Sequence, residues 1–188
     1  MTNNSVFWTI HTDPDRYRSF EREDRSLNWL EFLDMYKSGI QFGQNWPRII
    51  LKLFEGEDGE TTKPIPDFAR GIVSKSLSER ARSILEPWVA KQVEFLPLIT
   101  PVGLYYEMNI NRVDCLDVRR SSVKRFESSG RVMEVFNYAF HWDKLQGVNI
   151  FWLPELSVSK TFVSDTFKRI VEENELTGLI FDPLPMAE

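Results

Sequence analysis

The segment Asp114-Cys115-Leu116-Asp117 brings two carboxylates and a thiol within four residues, the spacing in this chain that most invites acid/base or thiol chemistry. Paired carboxylates act as general acid and base only when both reach one reacting group. Three positions apart along a strand, they point to opposite faces, because side chains alternate with period two. A turn at Leu116 relaxes that objection, but the residue types favour a structural role in which Asp117 caps the following turn through amides between Arg119 and Ser122. Cys115 has carboxylates on either side, which raise a thiol's pKa, so it reads as a buried small hydrophobe rather than a nucleophile. His141 and Asp143 lie two apart and share a face if a strand runs that far; a solvent-facing strand end is the plainer reading.

Other chemistries lose their usual signatures. His11 and His141 are the only histidines, and no Cys/His cluster has zinc-ligand spacing, so neither a metal nor another cofactor is expected. There is no Gly-x-Ser-x-Gly elbow, no Walker-type loop and no Gly-x-Gly-x-x-Gly, and the chain is expected to be no enzyme. An acid/base hydrolase built on Asp114, Asp117, His141 or Asp143 is the weakest alternative.

Charge points toward a protein partner. Acidic residues outnumber basic ones 28 to 23, for a net charge of −5, which argues against nucleic-acid binding and suits a partner with a basic surface. Asp13, Asp15, Glu21, Glu23 and Asp24 form one acidic group, and Glu55, Glu57, Asp58 and Glu60 form a second without an intervening Lys or Arg. The second group is either a solvated turn or a surface that steers a basic partner. Arg119, Arg120, Lys124 and Arg125 make a basic patch too short and too poor in aromatics for RNA or DNA, and they read as a polar loop. With 14 Phe and 6 Trp the chain is rich in aromatics. Trp8, Trp152 and most Phe residues fall in apolar runs and belong to the core, whereas Trp46, between Asn45 and Pro47, is expected to be exposed and to anchor a partner.

These residues need a mixed α+β scaffold. Val6 to Ile10 and Arg48 to Phe54 read as strands, and Ser26 to Lys37 reads as a helix because Leu27, Leu30 and Leu33 recur at helical spacing. An exposed loop, Glu55 to Pro64, follows. Val93 to Leu96, Leu104 to Ile110, Val113 to Leu116, Val132 to Trp142 and Val148 to Leu153 are strand-like, with a polar interruption from Arg119 to Gly130. About three helices against a largely antiparallel sheet are expected, in one continuous domain whose portions are 1–65 and 66–188.

Two segments share a layout. Ile72-Val73-Ser74 to Phe95-Leu96-Pro97-Leu98 and Phe162-Val163-Ser164 to Phe181-Asp182-Pro183-Leu184 each predict strand, helix, strand. The copies differ by four residues between Ser and Phe, about one helical turn. Ser76 to Glu79 has the pattern of a capping box, Pro87 is expected to end the first helix near Glu86, and Asn174 to Gly178 the second.

The order of Ser78-Glu79-Arg80-Ala81-Arg82, Val93 to Leu98, Tyr105-Tyr106 with Asn109, Val113 to Asp117 with Ser121 or Ser122, Phe162 to Lys168, and Leu176 to Leu184 resembles a family of bacterial immunity proteins of polymorphic toxin systems, the eleventh-numbered one, first catalogued as a domain of unknown function. The resemblance spans roughly residues 70–184, about three fifths of the chain. It implies a cytoplasmic protein that binds and blocks a cognate toxin, with Ser74, Pro97, Asp114, Asp117, Ser164, Gly178 and Pro183 as structural motif positions and no catalytic residues. No basic-then-apolar leader opens the sequence and no apolar run approaches membrane-spanning length, so neither secretion nor a membrane partner is expected. A scaffold or binding module without a toxin is the runner-up.

Overall fold

Both helices start on a serine. In the computed structural model, which describes residues 7–23, 33–34, 36, 38–55, 62–156 and 160–187, α1 (Glu79–Val89) is capped by Ser78 and α2 (Asp165–Glu173) by Ser164. Each serine Oγ accepts the amide three residues on, Ala81 at 3.1 Å and Phe167 at 3.2 Å. An acid follows each cap, Glu79 or Asp165, where the helix dipole favours negative charge. Ser78→Ala and Ser164→Ala are each expected to cost about 1 kcal/mol, read as matched shifts in the midpoint of urea unfolding.

The strands are β1 (Phe7–Thr12), β2 (Phe20–Arg22), β3 (Ile49–Leu53), β4 (Phe68–Arg70), β5 (Lys75–Ser78), β6 (Val93–Thr100), β7 (Gly103–Ile110), β8 (Ser122–Arg125), β9 (Val132–Asn137), β10 (Ile150–Phe151), β11 (Thr161–Ser164) and β12 (Leu179–Pro183). They form one sheet in the order β2-β3-β6-β7-β5-β4, a second in the order β10-β11-β1-β12, and the ribbon β8-β9. Pairing is antiparallel throughout except for β3 with β6. The fold is thus α+β and largely antiparallel, with two α-helices complete among the described residues instead of about three. The expected first helix, Ser26 to Lys37, falls mostly outside them; of that stretch and its end, residues 33, 34, 36 and 38 are helical.

The two strand-helix-strand units are the same structure twice, in a register different from the one the sequence suggested. Ser164 corresponds to the cap Ser78, not to Ser74, so the four-residue difference vanishes: Ser78 to Phe95 and Ser164 to Phe181 span the same distance along the chain. Ser76, the expected cap, is buried in β5. Strand pairing repeats in the same register. Tyr106 of β7 lies opposite Leu77 and Pro97, and Trp8 of β1 lies opposite Val163 and Pro183. Outside these, Phe68 of β4 pairs with Leu77 as Ile150 of β10 pairs with Val163.

Residues 7–100 and 103–184 therefore each run strand, long intervening segment, two strands, helix, strand, and the two repeats exchange their first strands. β1 completes the sheet of the second repeat, and β7 completes that of the first. Contacts across the join are reciprocal. Asp67, before β4, accepts from the Ser78 hydroxyl at 2.8 Å and from the Thr177 amide after α2 at 3.0 Å. Asn149, before β10, accepts from the Ser164 hydroxyl at 2.8 Å, and its own amide donates to Gln92 after α1 at 2.9 Å. Lys75 and Thr161, at equivalent positions, touch each other (Nζ to Oγ1, 3.3 Å), as residues do when a pseudo-two-fold axis passes between them.

The helices pack together over one face of each sheet, in a core that includes Leu77, Leu85, Met108, Ile10, Val163 and Phe167. The far faces have different covers. Phe20, Tyr36 and Phe42 from the first intervening segment belong to the same core as Tyr105 and Leu98, with Phe20 edge-on to Tyr105 at 4.8 Å. Leu116, Val135, Phe140 and Leu145 from the second pack against Phe7, Phe151 and Phe162 in a separate aromatic cluster.

Local exceptions have local causes. Pro87 lies inside α1, which continues to Val89. The missing N–H falls in the last turn, and exposed Ser83, whose carbonyl would have received it, can be hydrated instead. Gly178 lies between α2 and β12 at φ +99°, and a Cβ there would lie 2.2 Å from the Phe68 carbonyl oxygen, so both conformation and space require glycine. No helix among the described residues is long and apolar enough to cross a membrane.

Candidate functional site

The proposed acid/base groups lie on neighbouring segments, the His141 amide donating to the Cys115 carbonyl at 2.8 Å, but no hydrogen bond or ion pair joins their side chains to one another among the described residues. Val113 to Leu116 is not a strand: the Cys115 amide turns back to the Val113 carbonyl at 2.9 Å, and the ladder is reduced to a bridge between Leu116 and Phe140. Asp117 takes the capping role expected of it, its Oδ1 accepting from the amides of Arg119 at 3.1 Å and Arg120 at 3.3 Å. Those bonds compete with strand pairing and explain the bend. Asp114 is exposed and pairs with Lys144 at 3.6 Å. Cys115 is fully buried, and burial, with Glu155 adding to it, pushes its thiol up to about 12, which makes it inert as a nucleophile. β9 stops at Asn137, so His141 and Asp143 do not share a strand face; His141 precedes a 3-10 helix, Trp142–Leu145, that contains Asp143. No cluster of three or more potential metal ligands occurs among the described residues.

Sequence reasoning missed a pair of matched clusters at the helix starts. At the first, the Tyr106 hydroxyl donates to Glu79, the Arg82 guanidinium lies 4.4 Å from the Tyr106 ring centre and 5.6 Å from that of Phe95, and Arg82 pairs with Glu86 at 3.2 Å. At the second, the Trp8 indole donates to Asp165 at 3.3 Å, the Lys168 ammonium lies 4.7 Å from the Trp8 ring and 5.8 Å from Phe181, and Lys168 pairs with Glu172 at 2.7 Å. The residue types change, but aromatic, carboxylate and cation recur at every position. Each cation is held by two rings and a carboxylate and ties the first turns of a helix to its sheet. Burial first, and then the Glu79 contact, raise the Tyr106 pKa. The signal was present in the sequence as Ser-acid-x-x-cation-x-x-x-Glu followed by Phe-x-Pro-Leu, visible once Ser78 is aligned with Ser164.

The Ser74 amide donates to the buried Glu107 carboxylate at 2.6 Å, alongside the amides of Ile72 and Val73 at 2.7 and 3.0 Å. Pro97 and Pro183 are exposed and occupy matching places opposite Tyr106 and Trp8.

The chain matches the Immunity protein family (Imm11) over residues 11–185, a match that begins well before residue 70, where the sequence pattern became recognisable. It belongs to that family. Among curated proteins no match is found. Imm11 membership places the chain among immunity proteins, a class that is generally not enzymatic, and implies a cognate toxin as partner.

On the Imm11 chain the predicted contact residues occupy different settings. Glu55 is exposed just after β3, while Glu57, Asp58 and Glu60 lie outside the described residues, as does Asp24. Trp46 is half-buried rather than exposed. Its indole donates to the Pro97 carbonyl at 2.8 Å and its ring meets Phe42 edge-on at 5.1 Å, which fastens the first cover to β6. Lys124 and Arg125 lie in β8, a strand hidden within the expected polar interruption, because the ribbon it forms with β9 is solvated and lacks an apolar alternation on β8. Phe126, Met133 and Phe136 are large exposed hydrophobics on this ribbon.

Proposed function

We propose that the protein neutralises a cognate bacterial toxin by binding it directly in the cytoplasm, and that the acidic stretch Glu55 to Glu60 helps to draw in a toxin with a basic surface. Family membership over nearly the whole chain carries this reading. The excess of acid over base and the exposed position of Glu55 support the charge of the partner. Long-range attraction between an acidic loop and a basic cleft speeds encounter, and salt screens it over about 10 Å at 0.1 M.

The test is co-purification with the toxin encoded beside the gene, followed by stopped-flow association at two salt concentrations. Wild type should form a stable complex and abolish toxin activity. Reversing Glu55, Glu57, Asp58 and Glu60 to lysine should slow association at low salt and flatten its salt dependence, with dissociation changing less. Absence of a complex would refute toxin binding; equal on-rates at low salt would remove only the loop from the mechanism.

A further inference from the structure

The pseudo-symmetry breaks at one of the two seams between the repeats. Where β7 ends, Arg112 bridges to Trp152, and that seam is plugged: Trp152 is fully buried, with Arg112 5.6 Å from its ring and Tyr36 at 5.9 Å. At the equivalent seam between β1 and β4, Pro14 stands in place of Arg112 and Arg70 in place of Trp152. Instead of a plug there is a cavity of about 570 Å³, in the size range of small-molecule sites.

Its wall includes His11, Asp13, Tyr17, Arg18, Arg70 and Ser74. Asp13 is engaged by the Arg16 amide at 3.2 Å, and His11 stands 3.3 Å from Asp182. Neither Arg18 nor Arg70 has an ion pair or side-chain hydrogen bond among the described residues. Arg18 Nε and Ser74 Oγ are buried without a hydrogen-bond partner among the described residues. Two guanidiniums without a partner among the described residues line one hollow and are the complement of a multi-oxygen anion, since guanidinium presents several donors in a fixed fork.

We propose that this cavity binds an oxyanion, a carboxylate or phosphate group, between Arg18 and Arg70. A free small molecule or an acidic side chain of the toxin would supply the same chemistry. The site does not depend on the toxin reading, because the small-molecule arm of the test needs no toxin.

Isothermal titration of the intact protein with inorganic phosphate, citrate and adenosine monophosphate is expected to give saturable one-to-one binding of at least one probe. Arg18→Gln and Arg70→Gln should each weaken it by about tenfold, whereas Arg119→Gln should not. Arg70 is exposed, so its variant retains the fold and remains informative if Arg18→Gln does not. In parallel, toxin affinity is measured for each variant and with the bound probe at saturation. Competition between probe and toxin, or weaker toxin binding by Arg70→Gln when no probe binds, assigns the cavity to an acidic group of the toxin; simultaneous binding assigns it to a small molecule. Saturable binding indifferent to Arg70→Gln overturns the proposal, as does failure of every probe together with unchanged toxin affinity in that variant.

Discussion

A chain lacking residues 1–12 is expected not to fold and not to neutralise its toxin. β1 is an inner strand of the second sheet, paired from Phe7 to Thr12 with β11 on one side and β12 on the other. Phe7 and Ile10 are buried in the two separate cores, so the deletion opens both. Losing two ladders and two large core side chains exceeds the roughly 5–15 kcal/mol that usually separates folded from unfolded domains. A circular permutant provides the contrast. The Leu184 amide donates to the Phe7 carbonyl at 3.2 Å, so the end of β12 lies beside the start of β1, as β6 lies beside β7 across the turn at Pro101 and Val102. Joining those ends and opening the chain at that turn exchanges which first strand arrives from a distance. This permutant should melt cooperatively within about 5 °C of wild type. Circular dichroism decides both cases: a truncated chain with the wild-type melting midpoint would show that the second sheet does not need β1.

Local chemistry made much of this architecture legible in the sequence. The strands at Phe7–Thr12, Ile49–Leu53, Val93–Thr100 and Gly103–Ile110 and the helix stop at Asn174 to Gly178 all follow from residue type and period. The duplication was also visible, but matching Val73-Ser74 with Val163-Ser164 chose the wrong serine, because a Val-Ser pair says less than a serine followed by an acid and then a cation three residues later. Strand exchange was beyond local reading, since nothing in β1 or β7 tells which repeat's neighbours it will meet. Trp46 illustrates the same limit: its neighbours Asn45 and Pro47 look like surface, yet the Pro97 carbonyl, far along the chain, captures its indole. Of the two proposed contact regions, the acidic stretch Glu55 to Glu60 was legible as charge, while the arginine-lined cavity is a product of the seam between repeats and has no linear signature.

Replacing Lys75 by methionine is expected to remove a pH dependence built into the pseudo-two-fold axis. Burial pulls the Lys75 pKa down from 10.5 to about 8, with the Glu107 carboxylate opposing that shift. Between these values the unfolded chain carries a proton at Lys75 that the folded chain does not, so stability rises with pH. This contribution is full above 10.5 and is lost as pH falls through about 8, a span of about 3 kcal/mol. Other groups act in the reverse sense. Burial pushes Cys115 and Tyr105 up to about 12, and raises Tyr36 and Tyr106, so the unfolded chain loses those protons first and stability falls as pH rises through their ordinary values. The total curve therefore mixes both slopes, and the difference between wild type and Lys75→Met isolates the lysine. Urea unfolding at pH 7, 8, 9 and 10 should show wild type gaining on the variant by about 1.4 kcal/mol per unit above pH 8, with little change below it. Parallel curves would remove Lys75 as the source. Glu107→Gln supplies a second reading, because without the carboxylate that supports its charge Lys75 should titrate lower still, and the rise in stability should begin below pH 8.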